Sequence, residues 1–148
     1  MIPTYQRRDL VLAAVRALAH QQYDHNFEVI VVVDGSKDES ANALKQVEVP
    51  FPLTVLEQAN RGRATACNEG VALARGEILL FLDDDMEAHP RLLAEHDSSH
   101  RKGADAVFGH LPLHPKSPTN FLSAGIKWWT EGRLQRLLAP GASLTLHD

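Results

Sequence analysis

Residues 77–85 read EILLFLDDD, a short apolar run that ends in three consecutive carboxylates. The apolar part, residues 78–82, suits a strand that is buried on both faces of a sheet. Ligands of open α/β sheets bind beyond the carboxyl ends of the strands. Because Asp83, Asp84 and Asp85 repel one another in a confined site, a cation is expected beside them, and a hard divalent metal is the obvious candidate. The stretch therefore predicts a metal and phosphate site, with a solvated acidic loop as the alternative.

The composition is that of an ordinary globular chain of about one domain. Of its 148 residues, 44% are hydrophobic and 23% are charged, and the formal net charge of −4 gives no reason to expect a nucleic-acid partner. The single cysteine, Cys67, excludes an intrachain disulfide and is expected to be a small buried packing residue. No apolar run approaches the roughly 20 residues of a membrane span. The expected location is cytoplasmic, with membrane association left open for a longer parent protein.

Helical and strand patterns alternate along the chain. The apolar periodicity predicts helices over residues 8–22, up to 46 from a cap at Ser36 or Asp38, 63–75 with Gly76 as C-terminal cap, 90–102 and 120–138. Strands are predicted over residues 27–33, 53–56, 78–82 and 104–108. Strands that alternate with helices imply an α/β fold, in which a mostly parallel sheet is covered on both faces.

Three further segments carry polar groups that suit ligand binding. Asp34 follows a predicted buried strand, where a carboxylate can accept hydrogen bonds from a nucleobase or a ribose, although an Asp-Gly turn explains it equally well. The Thr4 hydroxyl, between Pro3 and Tyr5, can line the same edge. Residues 60–63 read NRGR before a predicted helix, so their backbone N–H and guanidinium groups can meet a phosphate or a nucleobase. A solvated basic loop is the alternative for this last segment.

Four motifs, taken in order, resemble the family 2 glycosyltransferases. They read IPTY at residues 2–5, VVDGSKD at 32–38, NRGRATACNEG at 60–70 and ARGEILLFLDDD at 74–85. The resemblance implies the GT-A fold, the Rossmann-like α/β/α arrangement of inverting nucleotide-sugar transferases. It covers residues 1–110, which would form the nucleotide-sugar-binding domain. Residues 111–148 would then be the incomplete start of an acceptor-side region.

The resemblance also implies roles for individual residues. Thr4 and Asp34 would contact the base, usually uracil. Asp83 would lie towards the ribose, and Asp83 and Asp85 would hold Mn²⁺ or Mg²⁺ at the diphosphate. The residues implied to bind the nucleotide sugar are Pro3, Thr4, Tyr5, Asp34, Gly35, Arg61, Gly62, Arg63, Asp83 and Asp84.

The implied reaction is the transfer of a sugar, with inversion, from a nucleotide-diphosphate donor, usually a UDP-sugar. The acceptor would be a hydroxyl of a glycan or a lipid-linked glycan, as in polysaccharide or cell-wall biosynthesis. The family places its general base in a Glu-Asp type motif downstream, and the sequence has no such motif. Glu131 fits by residue type but not by context, and Asp148 is terminal, so the base is unassigned. The alternative is a non-catalytic nucleotide-binding fragment, whose exposed sheet edges would favour homo-oligomers.

Three other classes that gather aspartates or bind nucleotides fit less well. A receiver domain draws its acidic residues from different strands, whereas this triplet follows a single strand. A haloacid dehalogenase phosphatase begins with D-x-D-x-T, and here Glu87 stands where threonine belongs. A dinucleotide-binding domain needs G-x-G-x-x-G after its first strand, and the sequence contains no such run.

Overall fold

The computed structural model describes residues 1–112, 117, 118, 120, 124, 126–128, 131, 132 and 135. The chain forms two compact units, Met1–Asp105 and Ala106–Asp148. In the second unit, the described residues from 124 to 135 are helical, and the rest of the helix predicted over 120–138 lies outside the described residues. The assignment of a donor domain and an acceptor-side region stays a prediction.

The first unit alternates strands and helices. Its elements are β1 (Ile2–Thr4), α1 (Arg8–Leu18), β2 (Val29–Asp34), α2 (Ser40–Gln46), β3 (Leu53–Gln58), α3 (Arg63–Leu73) and α4 (Leu92–Arg101). The three strands are parallel and lie in the order β1-β2-β3. None of the helices among the described residues has the length and apolar content needed to cross a membrane.

The central strand β2 is buried on both faces, as the run VIVVVD predicts. Side chains of a strand alternate between the two faces of its sheet. Val29, Val31 and Val33 therefore pack in one cluster with residues of α1 and α2. Ile30 and Val32 pack on the opposite face against Ala66 of α3. The sheet thus lies between two helical layers, which confirms the predicted α/β/α arrangement.

Helix α1 is amphipathic, as predicted, but it ends at Leu18 instead of residue 22. Its buried face consists of Val11, Leu12, Ala14, Val15 and Leu18. Leu10, another apolar residue of this helix, is about half exposed. Because successive helical residues are about 100° apart, Val11 and Leu12 turn towards the sheet and Leu10 turns away.

The stretch before the acidic triplet differs from its prediction, because residues 78–82 do not form an assigned strand. The Met1 amine donates a hydrogen bond to the Leu80 carbonyl (2.7 Å), and the Leu82 N–H donates one to the Met1 carbonyl (3.0 Å). This alternation is that of a parallel neighbour of β1, although the residue that takes part, Met1, lies just before the strand. Burial on both faces is also wrong, because neighbouring side chains of this stretch, which point to opposite faces, are about half exposed. The half-exposed side chains are Ile78, Leu79 and Phe81.

Three smaller predictions are also wrong. Residues 104–108 form no strand. Helix α3 ends at Leu73, and the extended residue Ala74 caps it, so Gly76 is not the cap. Cys67 is only partly buried, because its neighbour Ala66 occupies the position of α3 that faces the sheet.

Candidate functional site

A cavity of about 450 Å³ opens where β1 and β2 end. It brings together the acidic triplet and most of the other residues predicted to bind a ligand, whereas Gly35, Arg61 and Gly62 do not line it. Arg7 and Ala66 line it without having been predicted. The wall consists of Pro3, Thr4, Tyr5, Arg7, Asp34, Arg63, Ala66, Asp83, Asp84 and Asp85.

The middle carboxylate of the triplet is anchored inside the protein. Asp84 is only 6% exposed. Its Oδ2 accepts a hydrogen bond from the Thr4 hydroxyl (2.7 Å), and its Oδ1 accepts one from the Arg7 guanidinium (3.0 Å). Asp84 thus ties the acidic segment to the end of β1.

The outer carboxylates are more exposed, and each is paired with an arginine. Asp83 forms an ion pair with Arg63, and Asp85 accepts a hydrogen bond from Arg7 at 3.2 Å. The pKa of the Arg7 guanidinium is raised, first by its hydrogen bond to Asp84 and then by the charges of Asp84 and Asp85. Two guanidinium groups therefore supply the positive charge that the repulsion among three carboxylates requires.

The acidic triplet is not a preformed metal cage. No three His, Cys, Asp or Glu side chains among the described residues converge on one point that could hold an ion. Mg²⁺ and similar hard ions are often bound through one or two carboxylates, with substrate phosphates and water as the other ligands. The exposed carboxylates of Asp83 and Asp85 fit a site of that kind. Binding of Mn²⁺ or Mg²⁺ stays a prediction.

Asp34 shapes the loop that precedes α3. The residue is 5% exposed. Its Oδ1 accepts hydrogen bonds from the Gln58 amide (2.7 Å) and the Arg61 N–H (2.8 Å), and its Oδ2 accepts one from the Gly62 N–H (2.8 Å). Burial by itself raises the pKa of Asp34, but these hydrogen bonds outweigh it, so the pKa lies below its usual value. The carboxylate is therefore held ionised by its own chain.

Two glycines allow this loop to approach the strand end. Gly35 has φ +75°, and a Cβ atom there would lie 2.6 Å from the Asn60 nitrogen. Gly62 has φ +87° and stands immediately before α3. Both angles lie in the region where side chains cause strain. Gly35 and Gly62 thus act through the backbone and not as part of the cavity wall.

The loop before α3 offers a ligand fewer unoccupied hydrogen-bond donors than the sequence predicts. The N–H groups of Arg61 and Gly62 both donate to Asp34 in this conformation, and their contact with a phosphate stays a prediction. The guanidinium of Arg61 pairs with Glu69, and that of Arg63 pairs with Asp83. Only Arg63 of this segment lies in the cavity wall.

At the end of β1, Tyr5 and Thr4 present different groups to the cavity. The Tyr5 side chain is about half exposed, which leaves an aromatic surface open to a ligand. The Thr4 hydroxyl is buried and donates its hydrogen to Asp84, so towards a ligand it retains only acceptor capacity. Arg7 follows shortly after, and the sequence signal for it is a basic residue between a strand end and the next helix.

These features define a class of protein. A parallel α/β unit with a polar, charged cavity beyond its strand ends has the architecture that binds nucleotides and related phosphates. The sequence model of the family described as glycosyl transferase family 2 matches residues 1–143. The chain belongs to this family.

Curated relatives of this chain are named as glycosyltransferases or sugar transferases. A glycosyltransferase of Bacillus subtilis, YfnE, is 35% identical over 108 residues, which cover 72% of this chain and 28% of YfnE. An undecaprenyl-phosphate 4-deoxy-4-formamido-L-arabinose transferase of Pseudomonas fluorescens is 33% identical over 117 residues, which cover 72% of this chain and 33% of that enzyme. The chain thus spans about a third of the length of these relatives.

A solved structure supports the fold. TarS 1-349 of S. aureus, crystallised in complex with UDP, superposes with a TM-score of 0.63 at 26% identity. The match covers 69% of this chain and 31% of that one. Such structural neighbours are GT-A glycosyltransferases, so the GT-A fold predicted from the motifs is confirmed.

Proposed function

We propose that this chain is the donor-binding part of a glycosyltransferase and that it binds a nucleotide-diphosphate sugar, with UDP as the nucleotide. The observation that carries the proposal is the convergence of the four motifs, separate in sequence, on one cavity. Tyr5 follows β1, Asp34 ends β2, and both line the cavity together with Asp83 and Asp85. The UDP complex of TarS, a structure with the same fold, supports the choice of nucleotide.

The base would lie beside Tyr5 and Asp34. The exposed Tyr5 ring offers a surface on which a nucleobase can stack. Asp34 already accepts two hydrogen bonds at Oδ1 but only one at Oδ2. Because each carboxylate oxygen can accept two, Oδ2 retains capacity for the imide N–H of uracil.

The ribose and the diphosphate would lie towards the acidic triplet. Asp83 is the proposed ribose ligand, and Asp83 and Asp85 are the proposed ligands of Mn²⁺ or Mg²⁺. Such an ion would stabilise the negative charge that develops on the departing diphosphate. Asp84 would take no part in binding the ion, because both of its oxygens hold Thr4 and Arg7 in place.

Sugar transfer with inversion to a glycan or lipid-linked acceptor is the reaction that we propose for the complete protein. The two relatives are about three to four times as long as the segment that matches this chain. A second candidate is therefore a donor-binding piece that does not turn over by itself. An assay of sugar transfer with this chain, compared with a longer version of the protein, separates the two.

The proposed function is tested by calorimetric titration of UDP into the purified chain, with Mn²⁺ and then with EDTA. We expect binding that depends on Mn²⁺ and that Asp85→Ala abolishes. Asp24→Ala is the matched control, because Asp24 is exposed and lies outside the cavity. If the Asp85→Ala variant binds UDP and Mn²⁺ like the wild type, the metal assignment is wrong. If the folded wild type binds no uridine, guanosine or adenosine diphosphate, the donor-site proposal is wrong.

A further inference from the structure

Arg7 has an unusual position for an exposed arginine, since one guanidinium nitrogen serves two carboxylates. Its Nη1 lies 3.0 Å from Asp84 Oδ1 and 3.2 Å from Asp85 Oδ2. Half of the side chain remains accessible, and it lines the same cavity as the acidic triplet. Arg63, by comparison, pairs with the single carboxylate of Asp83 and is more exposed.

The backbone on each side of Arg7 is fixed. The Gln6 N–H donates to the Ser36 hydroxyl (2.9 Å), and the Arg8 N–H donates to Asp38 Oδ2 (2.9 Å). Gln6 also has a positive φ of 54°, a conformation that non-glycine residues adopt rarely. Two side chains from the loop after β2 thus hold the turn between β1 and α1. The fold therefore fixes the position of the Arg7 backbone, from which the side chain extends.

We propose that Arg7, held beside the acidic triplet by Asp84, is a counter-ion that competes with a divalent metal for Asp85. This inference rests on the proposed function, because it assigns Asp85 to the metal. An ion that binds Asp85 meets a carboxylate already neutralised in part by Arg7. The guanidinium must then move away, or its repulsion with the ion weakens binding of the ion. In the absence of nucleotide, Arg7 therefore weakens the binding of metal to this site.

The geometry makes the competition local. Asp84 is buried and keeps its hydrogen bond from Thr4 whether or not Arg7 is present, so the acidic segment retains one anchor. Asp85 is 44% exposed in its side chain and accepts a hydrogen bond from Arg7. Removal of the guanidinium should therefore free Asp85 without releasing the whole segment.

The experiment measures Mn²⁺ binding without nucleotide, by electron paramagnetic resonance of the free ion, for the wild type, Arg7→Gln and Arg16→Gln. Arg16 lies in the last turn of α1, away from the cavity, so Arg16→Gln controls for the loss of one positive charge. We expect Arg7→Gln to bind Mn²⁺ about three- to tenfold more tightly than the wild type, and Arg16→Gln to match the wild type. Equal or weaker binding by Arg7→Gln, or binding undetectable in both proteins, would overturn the proposal.

A second measurement needs no variant. In the ¹⁵N spectrum of the wild type, the Nε–H resonance of Arg7 should shift as Mg²⁺ is added, because the ion displaces the guanidinium from Asp85. An Arg7 signal that stays fixed while Mg²⁺ binds elsewhere would count against the competition. A UDP titration of the same sample distinguishes the counter-ion role of Arg7 from the donor-site function. Tighter Mn²⁺ binding by Arg7→Gln, together with no binding of uridine, guanosine or adenosine diphosphate in any variant, would defeat the donor-site function and leave the counter-ion role standing.

Discussion

Asp34→Asn should destabilise the protein by about 2–4 kcal/mol, although it changes only one heavy atom of the side chain. The carboxylate accepts three hydrogen bonds, and both of its oxygens take part. An asparagine has one oxygen and one NH₂ group in the same space. If its oxygen faces Gln58 and Arg61, its NH₂ group meets the N–H of Gly62, so two donors oppose each other.

The magnitude follows from the partners that are lost. A hydrogen bond to a charged group contributes about 1.5–3 kcal/mol, and a buried donor without an acceptor costs about 1–3 kcal/mol. The substituted amide would retain two weaker, neutral hydrogen bonds and would leave the Gly62 N–H without its acceptor. Because the whole fold is stable by only about 5–15 kcal/mol, a loss of about 2–4 kcal/mol is readily measured.

The effect should depend on pH with a definite sign. The pKa of Asp34 is lowered in the folded protein, where hydrogen bonds to the carboxylate outweigh its burial. A carboxylate whose pKa is lowered by folding stabilises the folded state. This contribution is complete above the pKa of the unfolded chain, about 3.9, and is lost as the pH falls through the pKa of the folded protein. The gap in stability between wild type and Asp34→Asn should thus be constant near neutral pH and should narrow below about pH 4.

The assay is urea denaturation followed by far-UV circular dichroism, at neutral pH and in steps down to the acid limit of the folded state. Asp24→Asn serves as the control, because Asp24 is exposed. A stability of Asp34→Asn equal to that of the wild type at neutral pH would refute the hydrogen-bond argument. A gap that stayed constant through the acid range would refute the assignment of the ionised state to Asp34.

Two further substitutions test the backbone and the anchor of the site. Gly35→Ala should cost about 2–4 kcal/mol in urea denaturation, because its Cβ would meet the Asn60 backbone at 2.6 Å, whereas Gly103→Ala, with φ +97° and open space around it, should cost about 1–2 kcal/mol. Equal losses at both glycines would contradict the close approach. Thr4→Val should cost about 1.5–3 kcal/mol, because buried Asp84 loses its hydroxyl donor, and Thr4→Ser should restore most of that loss. A serine variant as unstable as the valine variant would show that the methyl group matters instead.

The sequence predicts the central strand better than the edge of the sheet. The central strand is identified by its local apolar run, whereas the burial of an edge segment depends on its partners in the fold. β2 consists of five consecutive apolar residues followed by Asp34. This run identifies a buried strand without any knowledge of the strands beside it. Residues 78–82 have a similar composition, but several of their side chains remain half exposed. Their burial depends on partners on both sides of the strand, and the local pattern carries no information about them. The same limit applies to residues 104–108.

The candidate site shows a related limit. The motifs locate Asp34 correctly, because a carboxylate at a strand end is visible in the sequence. They do not show that the loop before α3 occupies that carboxylate, since the hydrogen bonds to Arg61 and Gly62 span 27 and 28 residues. Arg7 is separated from Asp84 by 77 residues. An ion pair of that kind follows from the arrangement of the strands and not from local spacing.

The acidic triplet shows why charge alone identifies a ligand poorly. Three adjacent carboxylates do require positive charge, and that requirement is the sequence argument for a metal. The protein meets the requirement with Arg7 and Arg63, so the repulsion no longer points to an ion. What favours the metal is accessibility, since Asp83 and Asp85 remain exposed at a cavity while Asp84 is buried and occupied. Burial thus separates the structural carboxylate from the two that can bind a ligand, which the repeated Asp-Asp-Asp sequence does not distinguish.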